Sequence, residues 1–336
     1  MKQFSIWVVR FCFTFSLLSG CNAQSPTTES KTLALVNSIA LPNVSGRIDH
    51  LAFDPKTERI FVAALGNNTV EVIDLKNGKS IHSIKGFGEP QGIAFVAMNN
   101  TTFIANGQTG ACDVLNAETY QKIASIPLPG DADNVRYDST NKKIYVGYGD
   151  GGIAVIDAVG FKQVGDVKLE GHPESFQLDI SHQKIFVNVP DKQQIEVIDL
   201  TQNIVTARWK LTEAKSNFPM SLDLEHHRLF IGCRRPAKLL ILDSDTGKLI
   251  STVNTDSDVD DVFYDPQNKR IYMSCGGGYI DVIEQQDSGS YVVTEKLTSH
   301  SGARTSLLLP GLHRLIVASP KSLVNNAFLL VYELKR

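Results

Sequence analysis

The chain has few cysteines and none spaced for chemistry. Cys12, Cys21, Cys112, Cys233 and Cys275 include no C-x-x-C pair, which excludes a zinc ribbon and a disulfide framework. Basic charge is not in excess, with 33 Lys and Arg against 36 Asp and Glu. Phosphate binding needs a basic stripe, so nucleic acid is not an expected partner. Beyond residue 20 no apolar run approaches the ~18 residues of a spanning helix. H-E-x-x-H and G-x-S-x-G are missing, and with them the main support for zincin or serine-hydrolase chemistry. The glycines of Gly147-Tyr148-Gly149-Asp150-Gly151-Gly152 connect two strand-like segments and open no helix. They therefore fail the condition for a dinucleotide loop.

What the chain does have is one phrase repeated seven times. It reads Arg59-Ile60-Phe61-Val62, Lys143-Ile144-Tyr145-Val146, Lys184-Ile185-Phe186-Val187, Arg228-Leu229-Phe230-Ile231, Arg270-Ile271-Tyr272-Met273 and Arg314-Leu315-Ile316-Val317, with Thr101-Thr102-Phe103-Ile104 as a degenerate copy. The anchors at 60, 102, 144, 185, 229, 271 and 315 recur every 41 to 44 residues. A β-rich period near forty predicts a propeller, in which each unit buries its faces against its neighbours. Around each anchor the order is constant. A short apolar segment comes first, followed in five repeats by a turn opened by Asp54, Asp138, Asp179, Asp223 or Asp265. The anchor strand is next, and then a β-branched strand ending in an acid or its amide, as in Val72-Ile73-Asp74. A fourth strand follows in six of the seven repeats. Four such strands make a blade. The seventh repeat ends at Glu333-Leu334 without its fourth strand. Leu33–Leu41 matches the fourth strand of the second repeat and is free to supply it, which would leave no open edge. The expected fold is all-β, a seven-bladed β-propeller closed by an N-terminal strand that completes the last blade.

Residues 1–21 differ in kind. Lys2 and Arg10 precede an apolar stretch that ends in Leu18-Ser19-Gly20-Cys21, a charged-then-apolar order typical of secretory signals. That quartet resembles the lipobox of bacterial lipoproteins, which implies acylation of Cys21. The expected organisation is a signal peptide over 1–20, a lipid-anchored tether over 21–31 and the propeller over 32–336. Losing Lys2 and Arg10 leaves 31 basic against 36 acidic side chains, a net charge of −5. Asn22 rather than Asp follows the cysteine, so the resemblance implies a lipoprotein of the bacterial envelope, facing the periplasm, at the outer membrane rather than the inner. The membrane is then a partner through the lipid anchor. Cys112, Cys233 and Cys275 remain and are expected as small buried thiols.

A propeller binds ligands at one mouth of its central channel, where the innermost strands begin. Eleven residues before each anchor stand Asp49, Gln91, Asp133, Glu174, Phe218, Asp260 and Arg304. Six polar residues at one register of seven are an unusual concentration. Nearby lie Arg47, His50, Asp131, Asn134, His172, Asp258 and Asp261, and the loops after the anchor strands add Asn106, Tyr148, Asn188, Arg234, Arg235 and Cys275. The expected ligand site is Asp49, His50, Gln91, Asp133, Asn134, His172, Glu174, Arg234, Asp260, Asp261 and Arg304. Charged groups at a wet channel can pair among themselves for little net energy, or they can converge on a small polar ligand. Asp49, Asp133, Glu174 and Asp260 would supply oxygen ligands to Ca²⁺ or Mg²⁺ if a cation binds.

Phe103-Ile104-Ala105-Asn106, Phe186-Val187-Asn188 and the Val-Ile-Asp strand ends resemble the YVTN-repeat (YncE-like) seven-bladed propellers over residues 33–336. That resemblance implies a secreted or periplasmic propeller. The preferred function is a binding or scaffolding module for a small polar ligand or a protein partner. The alternative is a metal-dependent, lactonase-like hydrolase or lyase using the channel carboxylates, an analogy at the level of fold alone.

Overall fold

The structure, a computed structural model, describes residue 1 and residues 30–335 apart from 288 and 324. The expected signal peptide, Cys21 and most of the tether lie outside the described residues. Twenty-eight strands form seven four-stranded antiparallel sheets. Blade one is β2 (Leu51–Asp54), β3 (Arg59–Ala64), β4 (Thr69–Asp74) and β5 (Lys79–Lys85). Blades two to six repeat that order through β6 (Pro90–Val96), β9 (Lys122–Pro127), β10 (Ala132–Asp138), β13 (Lys162–Lys168), β14 (Phe176–Asp179), β17 (Ile204–Lys210), β18 (Lys215–Asp223), β21 (Leu249–Asn254), β22 (Val259–Asp265) and β25 (Tyr291–Thr298) as their inner and outer strands. Blade seven is β26 (Thr305–Leu309), β27 (Arg314–Ser319), β28 (Ala327–Leu334) and, from the other end of the chain, β1 (Leu33–Leu41).

Local chemistry sets the reversals. The Asp that closes five of the seven inner strands caps its turn: Asp54 Oδ1 accepts the Lys56 amide at 2.9 Å, and Asp138 and Asp265 do the same for Thr140 and Gln267. Two residues before every anchor the chain takes a left-handed conformation, at Glu58, Asn100, Lys142, Gln183, His227, Lys269 and His313. No glycine occupies any of these seven positions, so the tight turn carries a strain for L residues that each blade offsets by packing.

No single core fills the ring. The buried apolar side chains fall into seven clusters, one between each pair of neighbouring blades. Phe61, Val70 and Val72 of blade one meet Ile93 and Ile104 of blade two. At the join, Ile39 and Leu41 of β1 pack with Ile316 and Leu329 of blade seven and with Ile60 and Val62 of blade one, while Leu33 packs toward Tyr272 and Ile280 of blade six.

The closing strand copies its counterparts in detail. In every outer strand one residue is skipped from the ladder: Ile81, Ile123, Val164, Thr206, Ile250 and Thr294. Strand β1 skips Val36 in the same way, opposite Val331 and Tyr332. A bulge twists an exposed edge and discourages pairing with another chain. Docking also begins earlier than the sequence reading placed it. Glu295 accepts the amides of Lys31 and Thr32, both at 3.1 Å, and the Lys335 amide donates to Thr32 at 2.8 Å.

Removing residues 30–41 is expected to expose the blade-seven edge and cause aggregation, whereas trimming 22–29 should leave Tm unchanged. Ile39→Ala should cost about 2–5 kcal/mol in denaturant unfolding. Equal melting of the two truncations would rule out closure by β1.

Candidate functional site

The inner strands converge on the axis, and their ladders break there. In β6, β10, β18 and β22 the register shifts at residues 91–92, 133–134, 218–219 and 260. In the other three blades the inner strand begins only after Asp49, Glu174 or Arg304. The register eleven residues before the anchor is therefore the place where side chains leave the pleat and turn into the mouth, a known use of bulges. Gly92 permits it between blades two and three, because a Cβ there would sit 2.2 Å from the Asp133 carbonyl oxygen.

These residues enclose a cavity of about 240 Å³ lined by Arg47, Gln91, Asp131, Asp133, His172, Glu174, Phe218, Arg234, Asp260 and Arg304. All seven blades contribute, counting Arg47 on the approach to blade one. Of the expected site residues, Gln91, Asp133, His172, Glu174, Arg234, Asp260 and Arg304 line it directly. Asp49 is buried behind Arg47, whose Nη2 lies 2.7 Å from Asp49 Oδ2. Asn134 is buried beside Asp133, with its Nδ2 3.4 Å from Asp133 Oδ1. His50 and Asp261 line a second cavity of about 370 Å³ in the channel below.

The charges sort into three groups. On the side of blades five to seven, Arg234 Nη2 lies 2.5 Å from Asp260 Oδ1 and Arg304 Nε lies 3.0 Å from Asp260 Oδ2. Arg304 also donates to both Asp258 oxygens, at 3.0 and 2.9 Å. The Arg234 guanidinium sits 4.0 Å over the Phe218 ring, which makes the single apolar member of the register a stacking platform. At blade one, His50 stands between Asp49 at 3.6 Å and Asp261 at 3.7 Å. Burial pulls its pKa down, but the Asp261 and Asp49 carboxylates outweigh it and lift His50 to about 10.

Asp133 and Glu174, in blades three and four, are different because among the described residues no arginine bridges them. His172 Nε2 faces Asp133 Oδ2 at 3.8 Å, and its Nδ1 is 2.6 Å from the Gly149 carbonyl oxygen. Gly149 needs its left-handed φ of 55° to present that oxygen, and a Cβ there would come within 2.5 Å of the Pro129 carbonyl. Burial, and then the charges of Asp133 and Asp260, push Glu174 well above the usual carboxylate range. The four carboxylates expected as one cation site do not form one set, since Asp49 and Asp260 are held by arginines. Among the described residues, the group with ligand atoms all within 4.8 Å is Asp133, His172 and Glu174.

The residues expected in the loops after the anchor strands instead lie at the ends of those strands, and most of them serve the frame. Asn188 donates to the Phe218 carbonyl at 2.8 Å and so pins the backbone where the blade-five ladder breaks. Tyr148 donates to Asp166, Asn106 to Asp113, and Cys275 is buried. Sequence reasoning missed Arg136. It lies in the channel, donating to the Val135 carbonyl at 3.0 Å and toward Ser175 at 3.3 Å, with Phe176 beneath it at 5.5 Å. Burial lowers its pKa against the pull of Asp261 and Asp133. Its register, eight residues before the anchor, reads Ala52, Ala94, Arg136, Gln177, Ser221, Phe263 and Leu307, so a lone cation in that row was the signal that could have found it.

No protein-family model matches the chain, and no curated protein matches it. Solved structures do. A chain of Kuenenia stuttgartiensis hydrazine synthase superposes with a TM-score of 0.73 at 14% identity, covering 88% of this chain and 95% of that one. A chain of a mitotic checkpoint complex superposes at 0.78 with 13% identity, covering 98% and 100%. The likeness is one of fold. It supports a seven-bladed β-propeller, an architecture generally used for binding or scaffolding.

His50 gives the site a pH signature. A histidine with a raised folded pKa adds stability that is fully present below the unfolded value near 6.5 and is lost as pH rises through about 10. His50→Gln should therefore be most destabilised relative to the parent below pH 6.5, with the deficit shrinking toward pH 10. Paired denaturant titrations across pH test this, and a constant deficit would contradict it.

Proposed function

We propose that this protein is a lipid-anchored binding module of the bacterial envelope, of the YVTN-repeat (YncE-like) kind, whose channel mouth takes a small polar ligand. The observation that carries the reading is the 240 Å³ cavity, to which six blades bring a side chain at one register and blade one brings Arg47, and in which all the lining groups but Phe218 are polar. Concave sites with convergent polar groups are the usual form of small-molecule sites. Arginines on one side and carboxylates on the other suit a ligand with an anionic group and hydroxyl or amino donors.

The anchor fits this arrangement. Leu33 pairs with Leu334, at the end of the ring opposite the mouth, and Leu41 emerges at the mouth. A chain acylated at Cys21 would thus hold the ring by its far face and turn the cavity away from the bilayer, toward the periplasm, at the outer membrane. Among the described residues no helix is long and apolar enough to cross a membrane, so the acyl chains would be the membrane attachment.

Two measurements test the reading. Cys21→Ser should move the protein from the membrane fraction to the soluble periplasmic fraction, and retention in the membrane would contradict the anchor. A thermal-shift panel of amino acids, sugar acids and dicarboxylates should contain a compound that raises Tm by mass action, with the rise lost in Arg47→Met. A flat panel would contradict a small-ligand mouth.

A further inference from the structure

The three charge groups of the mouth are not equivalent. Asp49 and Asp260 each have an arginine within hydrogen-bond distance. Asp133 and Glu174 have none, although both line the cavity and repel one another there. The Asp133 side chain keeps only 9% of its surface exposed. Its one hydrogen bond within 3.5 Å, a long one of 3.4 Å, falls on Oδ1, while Oδ2 faces His172 Nε2 at 3.8 Å. A buried carboxylate oxygen normally has a donor or a cation.

We propose that Asp133, His172 and Glu174 bind a divalent transition-metal ion of the Zn²⁺ or Mn²⁺ type. His172 Nε2 and Asp133 Oδ2 are 3.8 Å apart, too far for a hydrogen bond and close to the ~3.4 Å that separates two ligands of a tetrahedral ion with bonds of about 2.1 Å. The third ligand atom, from Glu174, falls within 4.8 Å of both. The other ring nitrogen supplies an independent mark. Nδ1 lies 2.6 Å from the Gly149 carbonyl oxygen, so Nδ1 donates there and Nε2 is the ring nitrogen turned toward the carboxylates. Metal-bound imidazoles are oriented in this way, by donation of the second N–H to a backbone carbonyl. An imidazole in the set selects against Ca²⁺ and Mg²⁺, which take oxygen ligands, and toward Zn²⁺ or Mn²⁺. Three protein ligands leave the remaining coordination positions open to the cavity, where an oxygen of a ligand held by Arg47 or Arg304 has room to enter. The inference concerns the same mouth as the proposed function but does not depend on a small molecule binding there.

Isothermal titration of the chelator-treated protein with Zn²⁺, Mn²⁺, Mg²⁺ and Ca²⁺ tests it. The expected result is 1:1 binding of Zn²⁺ or Mn²⁺ that outcompetes Mg²⁺ and Ca²⁺. His172→Gln, Asp133→Asn and Glu174→Gln should each weaken binding by about tenfold or more, with metal-free Tm and circular dichroism showing that each variant is folded. Asp49→Asn and Asp260→Asn, whose carboxylates are held by arginines, should weaken binding less than any of those three variants. His182 and His227, whose rings lie 5.9 Å apart on the opposite face, are the control for adventitious zinc. The proposal is overturned by the absence of 1:1 binding. Equal binding of Mg²⁺ and Ca²⁺, a loss in Asp49→Asn or Asp260→Asn as large as that in His172→Gln, or loss in His182→Gln or His227→Gln with His172→Gln unaffected would overturn it as well.

Discussion

The ring depends on the pairing of β1 with β28. A propeller blade is amphipathic on neither face; both of its faces are apolar and need a neighbour. The seven buried clusters of this chain are accordingly seven interfaces rather than one core. Six of them join blades that follow one another along the chain. The seventh joins the last blade to the first and is filled in part by Ile39 and Leu41, which arrive from the N-terminus. Without them two apolar faces and one strand edge would meet water, at roughly 25 cal/mol for each Å² of apolar surface.

Closure also makes the mouth. Seven inner strands cannot keep full ladders as they crowd toward an axis, and four of them break register where they reach it while three start late. One register of the repeat is thereby released from pairing and aimed at a common point. Polar side chains suit that place because it is wet and narrow. The charges gathered there then divide according to their partners: arginine bridges settle Asp49 and Asp260, while Asp133 and Glu174 are left facing an imidazole.

Much of this was legible in the sequence. The anchor spacing counted the blades, the missing fourth strand after Leu334 and the orphan strand at Leu33–Leu41 identified the clasp, and counting back eleven residues located the mouth. These features are set by backbone periodicity, which one sequence displays directly. The outer-strand bulges were not legible: the skipped residues, Val36, Ile81 and Thr206 among them, are all β-branched, but so are paired residues of the same strands such as Ile84 and Val205. Nor was the choice of partners among the mouth charges. That choice depends on side-chain reach between blades. Arg47 and Arg234, which capture two of the four carboxylates expected to hold a cation, come from a connection and from the end of an anchor strand, and the repeat does not encode their reach. Arg136 was marked as the one cation among the residues eight before each anchor, a register that only the folded ring shows to line the channel.

The most direct test of this account is native-state hydrogen exchange on the strand that closes the ring. If β1 is the true fourth strand of blade seven, its paired amides should exchange with free energies equal to those of β5, β9 and β13, the outer strands of continuous blades. Exchange of the β1 amides far faster than those three, with the remainder of the ring still protected, would show that the ring stands without its clasp and would contradict the account.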